Sequence, residues 1–362
     1  PLVPLLKNKR AFLQMLVTTV TDTGNEVARQ KVPDADAILY FPLDFPFAVR
    51  RALDIVAPKL VLLTETELWP NFLLECHRRR IPVLLINGRV SHASFKRYRL
   101  IRSFMKRVLQ GIEHFCMQSE RHAERIIQLG APPSRVEVVG NLKFDALAPS
   151  DGDGEIASLR KELHLAEGVP VFVAGSTHRG EEEAVLQALK RVREAFRDLV
   201  LVLAPRHPDR LPEVEALLKE EDLSFVRRTE LARLQSPISS LQSPVILVDT
   251  VGELTRLYAL GDVVFVGGSL VPTGGHNILE PAASGRAILF GPHMENFAEI
   301  AELFLGRGAA LQVGNADELA ARVFELLKDP GLASNLGQAA SSTVSSQRGA
   351  CLRTIGILEK YL

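Results

Sequence analysis

VVFVGGS (263–269) and TGGHNILEPAA (273–283) are the two stretches that decide the fold of this chain. An apolar run typical of a buried strand ends in one double glycine, and a second double glycine precedes a predicted helix over 277–284. Glycines let backbone N–H groups approach a ligand, and the first turn of a helix offers unpaired N–H donors and the positive end of its dipole. We therefore predict an anion site here, contacted by Ser269, Gly274, Gly275, His276 and Asn277.

The next polar position, Glu280, lies three residues after Asn277 and so on the same side of a helix. Its carboxylate could accept a hydrogen bond from a sugar hydroxyl beside the anion. Two interpretations of His276 stay open, since a histidine at this position either contacts the ligand or packs locally.

Outward from this site, short apolar runs alternate with helical patterns along the whole chain. The predicted strands are 13–18, 38–41, 60–63, 83–86, 114–117, 136–139, 171–174, 200–203, 245–248, 263–266 and 288–290. The predicted helices are 2–9, 47–56, 93–110, 119–129, 181–196, 212–220, 253–260, 277–284, 298–305 and 316–327. Continuous apolar strands separated by helices indicate parallel sheets covered on both faces, that is, a doubly wound α/β fold.

The chain of 362 residues exceeds the size at which single cores usually split, which favours two domains. Small polar residues at 151–154 predict a linker between them. We predict a first domain over 1–150, a second over 155–335 and a C-terminal helical segment over 336–362 that could return to the first. Since ligands in such sheets lie beyond the carboxyl ends of the strands, two facing domains would form a cleft lined by these loops.

Composition excludes several classes of protein. Hydrophobic residues make up 46% and charged residues 24% of the chain, as in an ordinary globular protein. Lys+Arg and Asp+Glu both number 43, so no global field indicates nucleic acid as a partner. The widely spaced Cys76, Cys116 and Cys351 fit neither a disulfide framework nor a zinc motif, and they favour a reducing compartment. No apolar run reaches the about 18 residues that a spanning helix needs.

Polar or glycine-rich segments follow each strand of the second half. They are GSTHRGEEE (175–183), PRHP (205–208) and DTVGEL (249–254), in addition to the stretch at 267–280. Each segment alone could be capping chemistry. Because parallel strands end at one edge of a sheet, we predict that they meet there and bind an anionic ligand. The predicted contacts in these segments are Ser176, Thr177, Arg206, His207, Gly252 and Glu253.

In the first half, TETELWPN (64–71) directly follows a strand and could place carboxylates beside a substrate hydroxyl. The alternative is a capping cluster with Trp69 in the core. Residues 89–107 contain seven Lys or Arg and no Asp or Glu, with Phe95, Tyr98, Phe104 and Met105 between them. This stretch either meets an anionic membrane surface or is a solvated helix face.

Seven motifs in order resemble the bacterial Kdo transferases, which move 3-deoxy-manno-octulosonic acid (Kdo) from CMP-Kdo onto a lipid A precursor. They are ETELWPN (65–71), INGRVS (86–91), GNLKFD (140–145), GSTHRGEEE, APRHPDR (204–210), DTVGEL and GGSLVPTGGHNILEPA (267–282). The resemblance covers nearly the whole chain. It implies the GT-B fold of two facing Rossmann-like domains, with the acceptor bound mainly by the first and the sugar nucleotide by the second.

The resemblance also implies an inverting, metal-independent transfer at the cytoplasmic face of the inner membrane, with no cofactor. The contacts around Ser176, Arg206 and Glu280 would hold CMP-Kdo. Those that would hold the acceptor are Glu65, Glu67, Trp69, Asn71, Arg89, Ser91 and Lys143. In similar enzymes a membrane-associated helix and a glutamate, the proposed general base, precede the segment that corresponds to Pro1. We therefore expect both upstream of Pro1, with Glu65 and Glu67 as fallback candidates for the base.

Two other classes remain open. A nucleotide-sugar epimerase similar to the UDP-GlcNAc 2-epimerases would share this two-domain architecture, but it would need its own catalytic carboxylates and has no use for a basic lipid-facing helix. A catalytically silent module would bind the nucleotide and transfer nothing.

Overall fold

The computed structural model describes residues 1–10, 12–147, 153–233 and 245–362. The chain divides into two compact units. The first unit is Pro1–Ala146 together with Gln347–Leu362, and the second unit is Leu147–Ser346. Of the predicted linker, residues 151 and 152 lie outside the described residues, while Asp153 and Gly154 open a helix.

Strands and helices alternate along the first unit as the apolar runs predict. The strands are β1 (Leu16–Thr19), β2 (Ala37–Tyr40), β3 (Val61–Thr64), β4 (Val83–Gly88), β5 (His114–Met117) and β6 (Val136–Val138). The helices are α1 (Leu2–Lys9), α2 (Asp22–Lys31), α3 (Pro46–Val56), α4 (Pro70–Arg78), α5 (His92–Leu100), α6 (Arg102–Leu109) and α7 (Glu120–Leu129). All pairings are parallel, and they form two sheets, β1-β2 and β3-β4-β5-β6, where the pattern predicts one.

The prediction of one continuous helix over 93–110 is wrong, because the structure has two helices that are separated at Ile101. Ile101 has φ −115° and ψ 32°, outside the helical region. The second segment, α6, buries Met105, Val108 and Leu109, whereas α5 buries no residue. The break lets the apolar face of α6 pack on the core while the basic α5 stays at the surface.

The second unit is built on one parallel sheet of seven strands. The strands are β7 (Val171–Thr177), β8 (Val200–Pro205), β9 (Phe225–Arg227), β10 (Val245–Leu247), β11 (Val263–Val266), β12 (Ala287–Phe290) and β13 (Leu311–Gln312). The helices are α8 (Asp153–Glu162), α9 (Glu182–Arg193), α10 (Leu211–Glu220), α11 (Leu254–Tyr258), α12 (Leu279–Ala283), α13 (Ala298–Gly306), α14 (Ala316–Lys328) and α15 (Pro330–Gln347). The sequence pattern misses β9 and β13, which are too short to show a periodicity.

The spatial order of this sheet is β13-β12-β11-β7-β8-β10-β9. After β7 the chain adds β8, β9 and β10 on one side of β7. It then crosses to the other side of β7 and adds β11, β12 and β13 there, so the strand order reverses between β7 and β11. Crevices at such switch points are where doubly wound sheets bind ligands. The core beneath this edge is apolar, with Phe172, Leu201 and Phe265 fully buried.

The last helix, α16 (Ala350–Leu358), belongs to the first unit. Asp145 holds its start, because the carboxylate accepts hydrogen bonds from the backbone N–H groups of Gly349 at 2.7 Å and Cys351 at 2.6 Å. Within the residues that the structure describes, no helix is both long and apolar enough to cross a membrane.

Candidate functional site

Polar side chains from three strand ends meet at the switch point of the second unit. The rings of His178, which follows β7, and His276, which follows the β11 loop, lie 5.1 Å apart and nearly parallel, with an Nε2–Nε2 distance of 2.8 Å. The His207 ring, which follows β8, packs edge-on against His178 at 5.5 Å. The sequence pattern indicates His207 and His276 as contacts but not His178, although His178 lies within the GSTHRGEEE motif.

The surroundings of both paired imidazoles favour the neutral form. Burial lowers the pKa of His276 to about 4, with further contributions from His178, Arg206 and His207. Burial also lowers the pKa of His178, while the nearby Glu181 acts in the opposite direction. Since the two Nε2 atoms share one hydrogen bond, one ring donates and the other accepts, and the accepting ring must be uncharged.

Arg206 adds a positive charge to this site. It is exposed, its backbone N–H donates to the carbonyl of Thr177 at 3.0 Å, and within the described residues no carboxylate pairs with its guanidinium. An arginine without a carboxylate partner, next to neutral imidazoles, is suited to a bidentate contact with a phosphate or carboxylate.

Glycines shape the loop that carries His276. Gly268 has φ +66°, and a Cβ there would lie 2.7 Å from Cδ2 of His276. Gly274 and Gly275 also have positive φ, and a Cβ on either would meet Asn296 or Met294 at 2.4 Å or less. The close packing of the histidine ring and the loop therefore depends on the absence of side chains at these positions.

The helix after this loop differs from the prediction. It spans only Leu279–Ala283, so the helix dipole expected from the sequence is small. The backbone N–H groups of His276 and Asn277 instead lie in an extended loop, and they have no acceptor within the part of the chain that the structure describes. These two groups remain available as donors to an anion.

Glu280 lies beside this loop and is half-buried. Its carboxylate accepts hydrogen bonds from Thr255 Oγ1 at 2.9 Å and Asn277 Nδ2 at 3.0 Å, which leaves acceptor positions unused. Beneath it, Tyr258 fills the space that a Cβ on Gly175 would occupy, and burial raises the pKa of the Tyr258 hydroxyl.

Four of the predicted contacts have other roles in the structure. Thr177 and Ser269 are fully buried, so their side chains face the protein interior and not a ligand. The pairing of β7 with β8 is irregular between Gly175 and Thr177, at the position of Ser176. The Glu253 carboxylate pairs with Arg228 at 3.2 Å and accepts from Thr250, and the neighbouring Gly252, with φ +95°, supplies only the turn.

Ser176 is placed where a ligand could reach it. It is partly exposed and has φ +57°, a conformation that costs a non-glycine residue about 1–3 kcal/mol and concentrates at functional sites. The structure thus brings Ser176, Arg206, His207, His276, Asn277 and Glu280 to one edge of the sheet, with His178 added.

In the first unit, Glu65 and Arg89 lie together at the ends of β3 and β4. Arg89 Nη1 is 3.9 Å from Glu65 Oε2, and both side chains are partly exposed. Glu65 also has φ +58°, and Thr66 Oγ1 donates to the Arg89 carbonyl at 2.5 Å. Glu67 is exposed nearby in sequence.

Other predicted acceptor residues are engaged within the protein. Trp69 stacks on Phe41 at 5.4 Å, in agreement with the alternative in which it plugs the core. Asn71 Nδ2 donates to the Asp44 carbonyl at 2.6 Å, and Ser91 caps α5 by accepting from the Ser94 N–H at 3.1 Å. Lys143 lies in a short turn, partly exposed, with its N–H bonded to Asn141 Oδ1.

Among the described residues, no group of three or more His, Cys, Asp or Glu side chains is arranged to hold a metal ion.

Comparison with known proteins identifies the family. Residues 1–146 match the family profile described as 3-deoxy-D-manno-octulosonic-acid transferase (kdotransferase). The 3-deoxy-D-manno-octulosonic acid transferase of Haemophilus influenzae is 35% identical over 363 aligned positions, covering 100% of this chain and 83% of that protein. The chain belongs to the Kdo transferase family. Kdo transferases are glycosyltransferases, so the resemblance stated from the motifs is confirmed.

A second relative is longer. The bifunctional glycosyltransferase/methyltransferase of Fusobacterium nucleatum is 40% identical over 306 residues, which are 84% of this chain but only 47% of that protein. The chain therefore spans about half the length of that relative.

The fold is shared more widely than the Kdo transferase sequence. The UDP-GlcNAc 2-epimerase from Neisseria meningitidis, solved with UDP-GlcNAc bound, superposes with a TM-score of 0.60 at 14% identity, covering 99% of this chain and 95% of the epimerase. At that identity the likeness concerns the fold alone. The predicted GT-B fold of two Rossmann-like domains is confirmed, and fold likeness by itself does not separate transferases from epimerases.

Proposed function

We propose that this chain transfers Kdo from CMP-Kdo to a lipid A precursor. Relatives named 3-deoxy-D-manno-octulosonic acid transferase, 35% identical over the whole chain in the Haemophilus influenzae protein, support Kdo as the transferred group. The epimerase alternative has only the shared fold in its favour, and membership of a transferase family weighs against a module without activity.

The observation that carries the donor assignment is Arg206, which lies beside the histidine pair and has no carboxylate partner among the described residues. CMP-Kdo has a phosphate and a carboxylate, and departure of CMP leaves additional charge on the phosphate. Stabilising that charge requires donors fixed in place before the reaction. We assign this role to Arg206 and to the N–H groups of His276 and Asn277, with Ser176 as a further donor. Glu280 would accept from the ribose hydroxyls through its unused lone pairs.

We further propose a single inverting displacement that requires no metal ion. The guanidinium of Arg206 would supply the positive charge that a divalent cation supplies in other nucleotide-sugar enzymes. Activity that persists after treatment with EDTA would support this view, whereas restoration of a lost activity by Mg²⁺ would contradict it.

For the acceptor we assign the loops that follow β3 and β4. Glu65 is suited to meet an acceptor hydroxyl, because it is partly exposed, has a strained backbone conformation and lies beside Arg89. Glu67 and Lys143 would contact the acceptor at the rim of this site.

We propose that α5 and α6 approach the anionic cytoplasmic face of the inner membrane. Leu100 at 86%, Ile101 at 50% and Phe104 at 44% are exposed on the two helices or between them. The six basic residues of the two helices are also exposed, namely Lys96, Arg97, Arg99, Arg102, Lys106 and Arg107. Cations attract anionic headgroups, and apolar side chains enter the boundary between headgroups and acyl chains.

The direct test is a transfer assay with CMP-Kdo and a lipid A precursor, with the product mass as the readout. In parallel, CMP-Kdo and UDP-GlcNAc are compared for protection against thermal unfolding. We expect protection by CMP-Kdo alone, reduced in Arg206→Ala and retained in Arg197→Ala, a matched change of an exposed arginine on the turn before β8. Protection by UDP-GlcNAc instead would favour the epimerase.

A further inference from the structure

The buried carboxylate of Glu181 accepts hydrogen bonds from two backbone segments of the candidate donor site, the turn after β7 and the loop after β11. It is fully buried and accepts four backbone hydrogen bonds. Oε2 accepts from the N–H of His178 at 2.9 Å and of Gly268 at 2.6 Å, and Oε1 accepts from Ser269 at 2.9 Å and Leu270 at 2.8 Å. No cation pairs with Glu181 among the described residues, so the peptide N–H groups stabilise its charge.

Three of these donors are the N–H groups of Gly268, Ser269 and Leu270, in the glycine-rich turn after β11 that the sequence predicts to bind an anion. The protein itself supplies that anion. Since the carboxylate is out of contact with solvent, an external phosphate cannot occupy these three donors while Glu181 is in place. The N–H groups of Gly268, Ser269 and Leu270 therefore hold the loop in place, and a ligand must bind to other groups of the site.

Oε2 of Glu181 joins the two backbone segments whose side chains form the histidine pair. One segment carries His178 directly. The other is closed by the Gly275 N–H, which donates to the Gly268 carbonyl at 2.7 Å immediately before His276. Gly268 in turn packs against the His276 ring. A shift of either segment would change the 2.8 Å Nε2–Nε2 distance.

We propose that Glu181 is a positioning residue for the donor site, which ties the turn after β7 to the loop after β11 so that His178 and His276 stay paired beside Arg206. The identity of the ligand in this proposal rests on the proposed function, whereas the pairing of the histidines does not.

Glu181→Gln tests the proposal, with Glu182→Gln as the matched control. The amide keeps the shape of the side chain but places an NH₂ group against backbone N–H donors. Glu182 is the next residue and is 1% exposed, but it pairs with Arg210 at 2.9 Å and not with the β11 loop. We expect CMP to bind at least about tenfold more weakly to Glu181→Gln and within about twofold of the unchanged protein for Glu182→Gln. Equal affinity in all three proteins, or equal weakening in both variants, would overturn the proposal.

Glu181→Asp covers the case in which the glutamine variant does not fold. It keeps the charge but is one methylene shorter, so it cannot reach all four donors, and we expect the same selective loss of CMP affinity. CMP binding of Glu181→Asp equal to that of the unchanged protein would contradict the proposal.

A ligand-independent readout separates this proposal from the proposed function. NMR titration of the imidazole signals should show a low pKa for His276 in the unchanged protein and in Glu182→Gln, and a value closer to 6.5 when Glu181 is replaced, because the ring then loses its buried position. His276 is the readout since the charge of Glu181 itself raises the pKa of His178. Altered titration in a protein that never binds CMP would support the positioning role and reject the donor assignment. Unaltered titration would reject the positioning role whatever the protein binds.

Discussion

Replacing Gly268 with alanine tests how the loop geometry supports the site. Gly268 has φ +66°, where an L-residue costs about 1–2 kcal/mol more than glycine. The new Cβ would lie 2.7 Å from His276 Cδ2 and 2.9 Å from Thr273 Oγ1, whereas carbon atoms in favourable contact are about 3.5–4.0 Å apart. Overpacking a dense region by a methyl group costs about 1–3 kcal/mol. Together the two effects predict a loss of about 2–5 kcal/mol.

The matched control is Gly308→Ala in the same unit. Gly308 has φ +60°, but no atom lies within 4 Å of the position that a Cβ would take there, so only the backbone cost of about 1–2 kcal/mol applies. For a domain of this length each kcal/mol shifts the unfolding midpoint by about 2–4 °C. We therefore expect a midpoint that falls further in Gly268→Ala than in Gly308→Ala.

The ligand assay separates the two variants more sharply. The methyl group at Gly268 must displace the His276 ring, which we place in the donor site, and we expect CMP to bind at least about tenfold more weakly. Binding to Gly308→Ala should stay within about twofold of the unchanged protein. If both variants lose the same stability and bind CMP equally well, His276 is not held against Gly268, and the described loop geometry would be refuted.

Three further predictions concern the proposed donor contacts, the histidine pair and the basic helices α5 and α6. Changing Arg206 or Glu280 to alanine should weaken CMP binding by about 1.5–3 kcal/mol each in a calorimetric titration, the range for hydrogen bonds to charged groups, and unchanged affinity in both would move the site elsewhere. Because the pKa of His276 is about 4 when folded against 6.5 when unfolded, the unfolded chain binds more protons between these pH values. Stability should therefore be lost as the pH falls from about 6.5 to about 4, less steeply in His276→Gln, and equal pH profiles would contradict a half-buried neutral ring. Binding to anionic vesicles should weaken by at most about 1 kcal/mol per charge and become less salt-sensitive when four exposed cations are replaced by glutamine, with neutral vesicles as the control. These cations are Lys96, Arg97, Arg102 and Lys106.

Much of the fold could be predicted from the sequence because a parallel sheet is buried on both faces. Every residue of β4 and β11 is buried, and their apolar runs over 83–86 and 263–266 are continuous and easy to recognise. The break at Ile101 was not predictable in this way, since the basic and apolar residues of 93–110 fit one long helix. It arises from the tertiary packing of α6 on the core.

The candidate site was predictable in location but only partly in its contacts. The rule that ligands lie beyond strand ends selects Arg206, His276 and Glu280 correctly as neighbours of one sheet edge. It gives no information on which side chains are already engaged. Asn71 is the clearest example, because its partner Asp44 lies 27 residues away on another loop and caps α4 from there.

The same limit explains why the sequence indicates Glu181 only as part of an acidic helix start. An acidic residue at that position is ordinary capping chemistry, and its donors Gly268, Ser269 and Leu270 lie 87 to 89 residues further along the chain. A glycine-rich turn after a strand indicates that backbone N–H groups converge on an anion, but the pattern does not state whether that anion is a ligand or a side chain. Here the carboxylate occupies the converging donors, so under the proposed function the donor would be recognised by other groups. These are Ser176, Arg206, Glu280, the histidine pair and the loop N–H groups of His276 and Asn277. The two variants Glu181→Gln and Arg206→Ala should accordingly weaken CMP binding through different routes, the first with altered titration of the histidines and the second with a loss of the salt dependence of binding.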